Sequence, residues 1–311
     1  MKKVQTVLGP VSPEDLGPTL THVHVWFSEP TDDPGNVLND MDLSVQEMLY
    51  FKEAGGRAVV DGNIWTDRAE ALVEISKRSG LHIIAKSGLR WKQTFEKEKN
   101  LYDKKYPLPP ILDMPIEDVV EQLVHDVTVG IDGTDVKAGV LKTGAPYNYI
   151  NPYTERALRI IGRAQARTGV PIFLHTSKGT MGLEQLEILQ EEGADLGKVA
   201  LGHIDRNPDP WYYKQIVKMG ANLIFDHISK AKYWPDSTHV ENMRKLVEAG
   251  YEDRITLSID YGHYRDLRAY GGGVGYAWVL EKFVPRLRDE GFKEETIDKF
   301  LVQNPARYLA F

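Results

Sequence analysis

Short apolar, β-branched segments alternate with longer amphipathic segments along this chain. The short segments predict eight strands, at 19–25, 57–62, 81–86, 136–142, 170–175, 197–203, 221–226 and 254–260. The longer segments predict helices at 66–79, 116–129, 154–168, 182–192, 211–219, 239–249 and 274–287, with a short C-terminal helix that should stop at Asn304-Pro305. Eight strands that alternate with helices predict an α/β protein, a (β/α)8 TIM barrel, formed as a single domain over residues 1–311.

A doubly wound open sheet is the alternative to the barrel. No predicted strand is followed by a glycine-rich phosphate loop, which disfavours a nucleotide-binding sheet. The glycine-rich segment "YGGGVG" at 270–275 lies well after the last strand rather than at a strand-to-helix turn. The longest segment without a periodic pattern, 89–115, is charged and contains proline, and such segments are usually functional or disordered.

Composition and charge narrow the function classes. The formal net charge of -7 over 311 residues argues against a general nucleic-acid or acidic-membrane surface. The sequence has no apolar run long enough for a membrane span, and its N-terminus is too interrupted for a signal peptide, so we expect a cytoplasmic protein. The chain has no cysteine, so any metal ion must be held by histidines, carboxylates or a less usual ligand.

Polar residues follow most of the predicted strands, at the ends that meet at the mouth of a (β/α)8 barrel. These residues are His22, His24, Lys142, His175, His203, Asp226, His227 and Asp260. His22 and His24 share one face of their strand because successive side chains alternate. The pair alone fits metal and non-metal sites equally well. Five of the nine histidines at one end of the barrel indicate a metal site.

The number and type of these side chains suggest two ions. Imidazole and carboxylate ligands without thiolate suit Zn2+, with Mn2+, Co2+ or Fe2+ as alternatives. Four histidines and one aspartate exceed what one catalytic zinc needs, which favours a pair of ions that share a nucleophilic hydroxide. An ammonium at Lys142 would be repelled by such a pair, so this side chain either points away or is chemically altered.

An ordered set of motifs resembles the phosphotriesterase family of the amidohydrolase superfamily over nearly the whole chain. The motifs are His22-x-His24, "GVLK" with Lys142, "FLH" at His175, "GHIDRNPD" at His203, "IFDHI" at 224–228, "LSID" at Asp260 and "NPAR" at 304–307. The resemblance implies a (β/α)8 barrel with a binuclear centre, commonly zinc, bridged by an N6-carboxylated Lys142. It also implies that His22, His24 and Asp260 hold one ion, and that His175 and His203 hold the other.

One position departs from the family pattern, and the role of another is not decided by the sequence. Val23 stands where the family usually has glutamate, but its side chain should face away from the mouth. In phosphotriesterases proper, a histidine near the end of strand seven relays protons from the catalytic aspartate. His227 fits that position as well as it fits a structural role. Its carboxylate partner is not identified, and Asp205 could instead orient the His203 loop.

The resemblance implies hydrolysis, with Asp260 as the general base and later the proton donor. We expect the substrate to be a small lactone, and a phosphorylated sugar lactone is one candidate. The enzymatic alternative is a hydrolase of an acyl lactone, a carboxylic ester or an N-acetyl amide, with weak phosphotriesterase activity. The non-enzymatic alternative is an inactive ligand-binding barrel. Arginines and tyrosines suit an anionic substrate group, and the candidates are Arg265, Arg268, Tyr264, Tyr270, Tyr147 and Arg90. A homodimer is common among similar proteins.

Overall fold

Eight parallel strands form a closed (β/α)8 barrel in the computed structural model, which describes residues 2–27, 35, 37–64, 68–89 and 114–311. The barrel strands are β1 (Thr19–Val23), β2 (Ala58–Asp61), β3 in two parts (His82–Ile84 and Lys86–Gly88), β4 (Val140–Ala145), β5 (Ile172–Thr176), β6 (Val199–Gly202), β7 (Asn222–Phe225) and β8 (Ile255–Leu257). Each strand pairs in parallel with its neighbours in the chain. The predicted fold is therefore confirmed.

The barrel closes between its first and last strands, along a line that we call the seam. The hydroxyl groups of Thr21 and Thr256 lie 3.0 Å apart across the seam. Further along, the amide of Asp260 donates to the carbonyl of His22 at 3.0 Å, and the amide of His24 donates to the carbonyl of Tyr261 at 3.1 Å. Residues from the two ends of the chain are thus brought to one edge of the barrel mouth.

Side chains on the two faces of the strands pack into two separate cores. The outer faces, which include Val23, pack against the helices. The inner faces contribute a smaller cluster, with Phe173 as its largest member on the strands. An antiparallel hairpin (Val4–Thr6 with Gly9–Val11) and the C-terminal residues Tyr308 and Leu309 complete this inner cluster at the end where the strands begin. This closure leaves the opposite end of the barrel as the mouth.

The helices surround the barrel. They are α1 (Met41–Glu53), α2 (Ala69–Ser79), α3 (Ile116–Thr128), α4 (Pro152–Thr168), α5 (Gly182–Glu191), α6 (Pro210–Lys218), α7 (Asp236–Glu248), α8 (Val284–Asp289), α9 (Glu294–Asp298) and α10 (Asn304–Leu309). Helix α1 was not predicted, because its buried face includes the polar residues Ser44 and Glu47, which obscure the apolar period. In the described part of the chain, no helix is both long and apolar enough to cross a membrane.

The prediction that Asn304-Pro305 ends the last helix is wrong. A π-helical turn (Lys299–Gln303) connects α9 to α10, and Pro305 lies in the first turn of α10. Pro305 is tolerated there because the hydrogen-bond pattern changes at this point, from the π-helical bond of the Asn304 N–H to the carbonyl of Lys299 to the α-helical bonds of α10. The side-chain amide of Asn304 donates to the carbonyl of Ile255 at 2.7 Å, which ties this turn to β8.

Candidate metal centre

The polar residues predicted to converge do lie together at the mouth of the barrel. The ring of His203 is the centre of the group, with its centroid 5.1 Å from that of His22, 4.3 Å from that of His175 and 5.1 Å from that of His227. His203 and Asp260 both have positive φ angles, 60° and 44°, which are uncommon for residues other than glycine. Both side chains lie in the histidine cluster, and such backbone strain is typical of functional sites.

His22, His24 and Asp260 form a group whose ligand atoms all lie within 4.8 Å of one another, close enough to hold one ion. The Oδ1 atom of Asp260 lies 3.2 Å from Nε2 of His24 and 3.5 Å from Nε2 of His22. On the far side of each ring, Nδ1 of His22 bonds Asp226 at 2.8 Å and Nδ1 of His24 bonds Asn63 at 2.7 Å. Such partners orient both rings with Nε2 toward Asp260.

A buried ring nitrogen indicates that this group fits a metal ion. Nε2 of His22 has no hydrogen-bond partner among the residues that the structure describes, and Oδ1 of Asp260 lies 3.5 Å from it. Buried polar atoms are nearly always hydrogen-bonded, so an unpaired imidazole nitrogen aimed at a carboxylate calls for another partner. Imidazole nitrogens and carboxylate oxygens are the donors that suit zinc and its neighbours in the periodic table.

Asp226 connects three of the histidines, a role that the sequence did not reveal. Its side chain is fully buried and, besides His22, accepts the backbone N–H of His203 at 2.9 Å. Its Oδ1 atom also lies 3.1 Å from Nδ1 of His227. Burial works against the charge of this carboxylate, but the neighbouring histidines hold the pKa of Asp226 well below its usual value. The position was visible in the "IFDHI" motif, but nothing in the pattern separated it from its neighbours.

The carboxylate partner of His227 is Asp205. Nδ1 of His227 and the Oδ1 atom of Asp205 lie 2.7 Å apart, and the backbone N–H of His227 donates to Oδ2 at 2.7 Å. Burial disfavours a charge on this imidazole, but Asp205 and Asp226 raise the pKa of His227 to about 9. Nε2 of His227 lies 3.9 Å from Oδ2 of Asp260. The sequence analysis did not identify this partner, and it considered Asp205 as a support for the His203 loop.

Lys142 reaches the cluster from β4. Its Nζ atom donates to the carbonyl of Gly62 at 2.7 Å, and burial lowers the pKa of Lys142 to about 8. A side chain at Gly62 would collide with both imidazoles, since an added Cβ would lie 2.8 Å from Nε2 of His22 and from Cε1 of His24. Glycine at this position leaves space beside Lys142 and the two histidines.

A second buried lysine lies beneath the cluster. The Nζ atom of Lys86 is 3.7 Å from the centroid of the Phe173 ring and has no hydrogen-bond partner among the described residues. Burial, and then the proximity of Lys142, hold the pKa of Lys86 well below its usual value. In the metal-free protein this side chain is therefore a source of instability.

We expect replacement of Lys86 by methionine to stabilise the metal-free protein by roughly 1–3 kcal/mol, the cost of burying a polar group without a hydrogen bond. Urea unfolding of chelator-treated protein at pH 7 measures this difference. Lys198→Met is the matched control, because the Nζ atom of Lys198 donates to the carbonyls of Arg307 and Ala310, and its loss should destabilise the protein. Equal losses of stability in both variants would contradict the prediction.

A cavity of about 640 Å³ opens above the cluster, between the segments that follow β7 and β8. Its lining includes His24 and Asp260 together with three cationic side chains, Lys230, Lys232 and Arg265. Nζ of Lys230 lies 3.0 Å from Oδ2 of Asp260 and also donates to the carbonyl of that residue. The other two cations lie in the wall together with Asp266, so the lining carries two cations and one anion besides the pair of Lys230 and Asp260.

The residues that the sequence proposed for substrate binding are not all at this cavity. Arg265 lines it, whereas Arg268 stacks on Tyr50, with Cζ 4.3 Å from the ring centroid, and pairs with Glu281 at 3.7 Å. The hydroxyl group of Tyr270 bonds Ser44 at 2.9 Å. These three contacts hold the segment after β8 against α1 and against the π-helical turn Val279–Phe283.

Of the three other residues proposed for substrate binding, two do not line the cavity and one lies outside the described residues. Tyr264 is about half exposed, at 48%, beside Arg265. Tyr147 is also exposed, and Nζ of Lys178 lies 4.5 Å from its ring centroid. Arg90 falls outside the described residues.

A barrel with this ring of histidines and carboxylates defines a metal-dependent hydrolase. The model of the phosphotriesterase family matches residues 2–309, and the chain belongs to that family. A phospho-furanose lactonase of Mycoplasmopsis synoviae is 33% identical over an alignment that covers 100% of this chain and 92% of the relative. An N-acetyltaurine hydrolase of Danio rerio is 28% identical, with 99% and 98% covered.

Solved structures support the same assignment. A lactonase from Listeria monocytogenes superposes with a TM-score of 0.90 at 34% identity, over 99% of this chain and 98% of that chain. The phosphotriesterase homology protein from Escherichia coli, solved with phosphate in its active site, gives a TM-score of 0.86 at 29% identity, over 95% and 99%. The family resemblance read from the motifs is therefore confirmed.

Proposed function

We propose that this protein uses two divalent metal ions to hydrolyse a small lactone that carries an anionic group. A phosphorylated sugar lactone is the leading candidate. The observation that carries the proposal is the cavity that has His24 and Asp260 in its lining and Lys232 and Arg265 in its wall. Two of the relatives are named for a phospho-furanose lactone and for N-acetyltaurine, and each of these substrates carries an acidic group.

In this proposal the two ions are held by the residues that the motifs identified. His22, His24 and Asp260 would hold one and His175 and His203 the other, with the carbamate of Lys142 as a further oxygen ligand. The carbamate forms when the neutral amine of Lys142 bonds the carbon of CO2 and releases a proton. Zn2+ suits this set of nitrogen and oxygen ligands. When bound, such ions polarise a carbonyl group and lower the pKa of water.

The side chains around the ions then handle the proton. Asp260 accepts the proton of the attacking water as the new C–O bond forms at the lactone carbonyl. It returns a proton to the ring oxygen when the ring C–O bond breaks, which gives a hydroxy acid. His227, 3.9 Å away and backed by Asp205, has a pKa of about 9 and is therefore protonated at neutral pH, so it can relay a proton from Asp260 only by first releasing its own to solvent. Lys230 fixes the Asp260 carboxylate from the side of the cavity.

Initial rates on zinc-loaded protein test this function, with matched γ-lactones that differ only in a 5-phosphate. A large preference for the phosphorylated lactone would support the proposal. Comparable rates would contradict the anionic specificity and favour neutral or acyl lactones. The N-acetyltaurine hydrolase relative gives the second candidate, an N-acetyl amide hydrolase. Hydrolysis of an N-acetyl amine with no rate on either lactone would establish that candidate instead.

We expect Arg265→Gln to raise KM for the phosphorylated lactone at least about tenfold, because charge-assisted contacts to a phosphate are worth roughly 1.5–3 kcal/mol. The KM for the neutral lactone should change less than twofold, roughly, since that substrate has no anionic group to bind. Arg268→Gln is the matched control, because Arg268 lies on the same segment but packs on Tyr50. Equal effects of Arg265→Gln on both substrates would assign Arg265 a structural role.

The homodimer expected from the resemblance and the location in the cytoplasm remain part of this proposal. Sedimentation equilibrium of the zinc-loaded protein measures the first, and a single species with the mass of one chain would contradict it.

A further inference from the structure

The glycine-rich segment "YGGGVGY" at 270–276 forms the back of the loop that carries Arg265. The amide of Gly272 donates to the carbonyl of Leu267 at 3.2 Å, and the amide of Gly275 donates to that of Asp266 at 3.1 Å. An added Cβ at Gly272 would lie 2.3 Å from the Arg265 backbone. We call residues 265–276 the β8 loop. Glycine is needed in its second half because that half packs directly on the backbone of the first.

A buried carboxylate from α1 holds this loop. Glu47 is only 1% exposed, although glutamate is rarely buried unless it is paired. Its Oε2 atom accepts the backbone N–H of Ala269 at 2.8 Å, and its Oε1 atom accepts that of Tyr276 at 3.0 Å. A Cβ at Gly275 would lie 2.1 Å from Oε1, so glycine there also makes room for the carboxylate.

The same loop is tied to the candidate metal centre. The hydroxyl group of Tyr276 donates to the carbonyl of His24 at 2.7 Å. The residue that Glu47 holds by its backbone therefore supports, by its side chain, the backbone of a candidate metal ligand. At the other end of the loop, Arg265 and Asp266 line the cavity. One buried carboxylate thus connects α1 to the cavity wall and to the edge of the metal site.

We propose that Glu47 is a positioning residue for substrate binding, which acts by fixing the β8 loop so that Arg265 faces the cavity. The proposal rests on the proposed function only in taking this cavity as the substrate site. A carboxylate is needed because it accepts two N–H groups at once, whereas an amide offers one oxygen and turns a donor toward the other N–H group. Loss of one acceptor would loosen the loop without removing any candidate metal ligand.

Glu47→Gln in the zinc-loaded protein tests this role, with Glu53→Gln as the matched control, since Glu53 is exposed at the end of the same helix. We expect amide hydrogen exchange in the β8 loop to rise by about tenfold or more, as expected when a buried donor loses its acceptor. We also expect KM for the phosphorylated lactone to rise about tenfold while kcat changes less than about twofold. Metal content should match that of the wild type.

A second variant perturbs the same contact from the side of the loop. Gly275→Ala keeps Glu47 but displaces its carboxylate and also strains a backbone that has a φ of 71°, so loop exchange and KM should rise at least as much as in Glu47→Gln. Wild-type exchange in Glu47→Gln, or a fall in kcat and metal content at unchanged KM, would overturn the proposal. If the wild-type protein hydrolyses neither lactone, the proposed function fails, and loop exchange alone then decides whether Glu47 fixes the loop.

Discussion

Replacement of Lys142 by alanine is expected to remove bound metal and activity together. In the proposed site the carbamate of Lys142 would be a ligand of the metal ions, so its loss should weaken their binding. Metal ions contribute several kcal/mol of transition-state stabilisation, which corresponds to a loss of at least about 10³-fold in kcat/KM. Inductively coupled plasma mass spectrometry of the purified variant measures the metal content, and initial rates measure the activity.

Small acids should partly reverse this defect. The shortened side chain leaves space beside Gly62, so bicarbonate or a short carboxylic acid can replace the missing carbamate and restore metal content and activity. Lys178→Ala is the control, because Lys178 is an exposed lysine on the same face of the barrel. Full metal occupancy in Lys142→Ala would exclude the bridging role of this residue.

The second large effect is expected from Asp226→Asn. The Oδ2 atom of Asp226 holds Nδ1 of His22 at 2.8 Å, which keeps the proton on Nδ1 and leaves Nε2 free to bind an ion. An asparagine can turn its NH2 group toward His22, which favours the opposite tautomer and places the proton on Nε2. Loss of such an orienting partner typically lowers metal affinity by about 10–100-fold.

Zinc titration against a competing chelator measures this affinity. Asp135→Asn is the control, because Asp135 is exposed and lies before β4 rather than at the mouth. The wild-type fold should be retained, since the two side chains have the same shape, and circular dichroism checks that. An unchanged zinc affinity in Asp226→Asn would show that the tautomer of His22 does not depend on this carboxylate.

The barrel and most of the metal cluster could be predicted because both depend on local pattern. Short β-branched segments mark the strands, and the strand ends of such a barrel necessarily meet at one mouth. The pair His22 and His24 points to one side because strand residues alternate. No knowledge of distant contacts is needed for either prediction.

The rest depends on contacts between residues far apart in the chain. Glu47 and its partner Ala269 are 222 residues apart, so the burial of this glutamate, and with it α1, could not be read from the local pattern. Asp205, in the turn that begins at His203 with a positive φ, contacts His227 22 residues later, and no local pattern reveals that contact. Arg265 and Arg268 look alike in sequence, yet the tight β8 loop sends one to the cavity and the other to Tyr50.

The seam gives the candidate metal centre a role in folding as well as in chemistry. His22 on one side of the seam contacts Ser258 on the other, 236 residues later, so closure brings together nearly the whole chain. An ion bound by His22, His24 and Asp260 would cross-link the first and last strands, much as a disulfide joins two segments. A ligand that binds only the folded state, at a free concentration of 100 times its Kd, adds about 2.7 kcal/mol to the free energy of unfolding. Metal binding would therefore raise the free energy of unfolding of the closed barrel, in addition to its catalytic role.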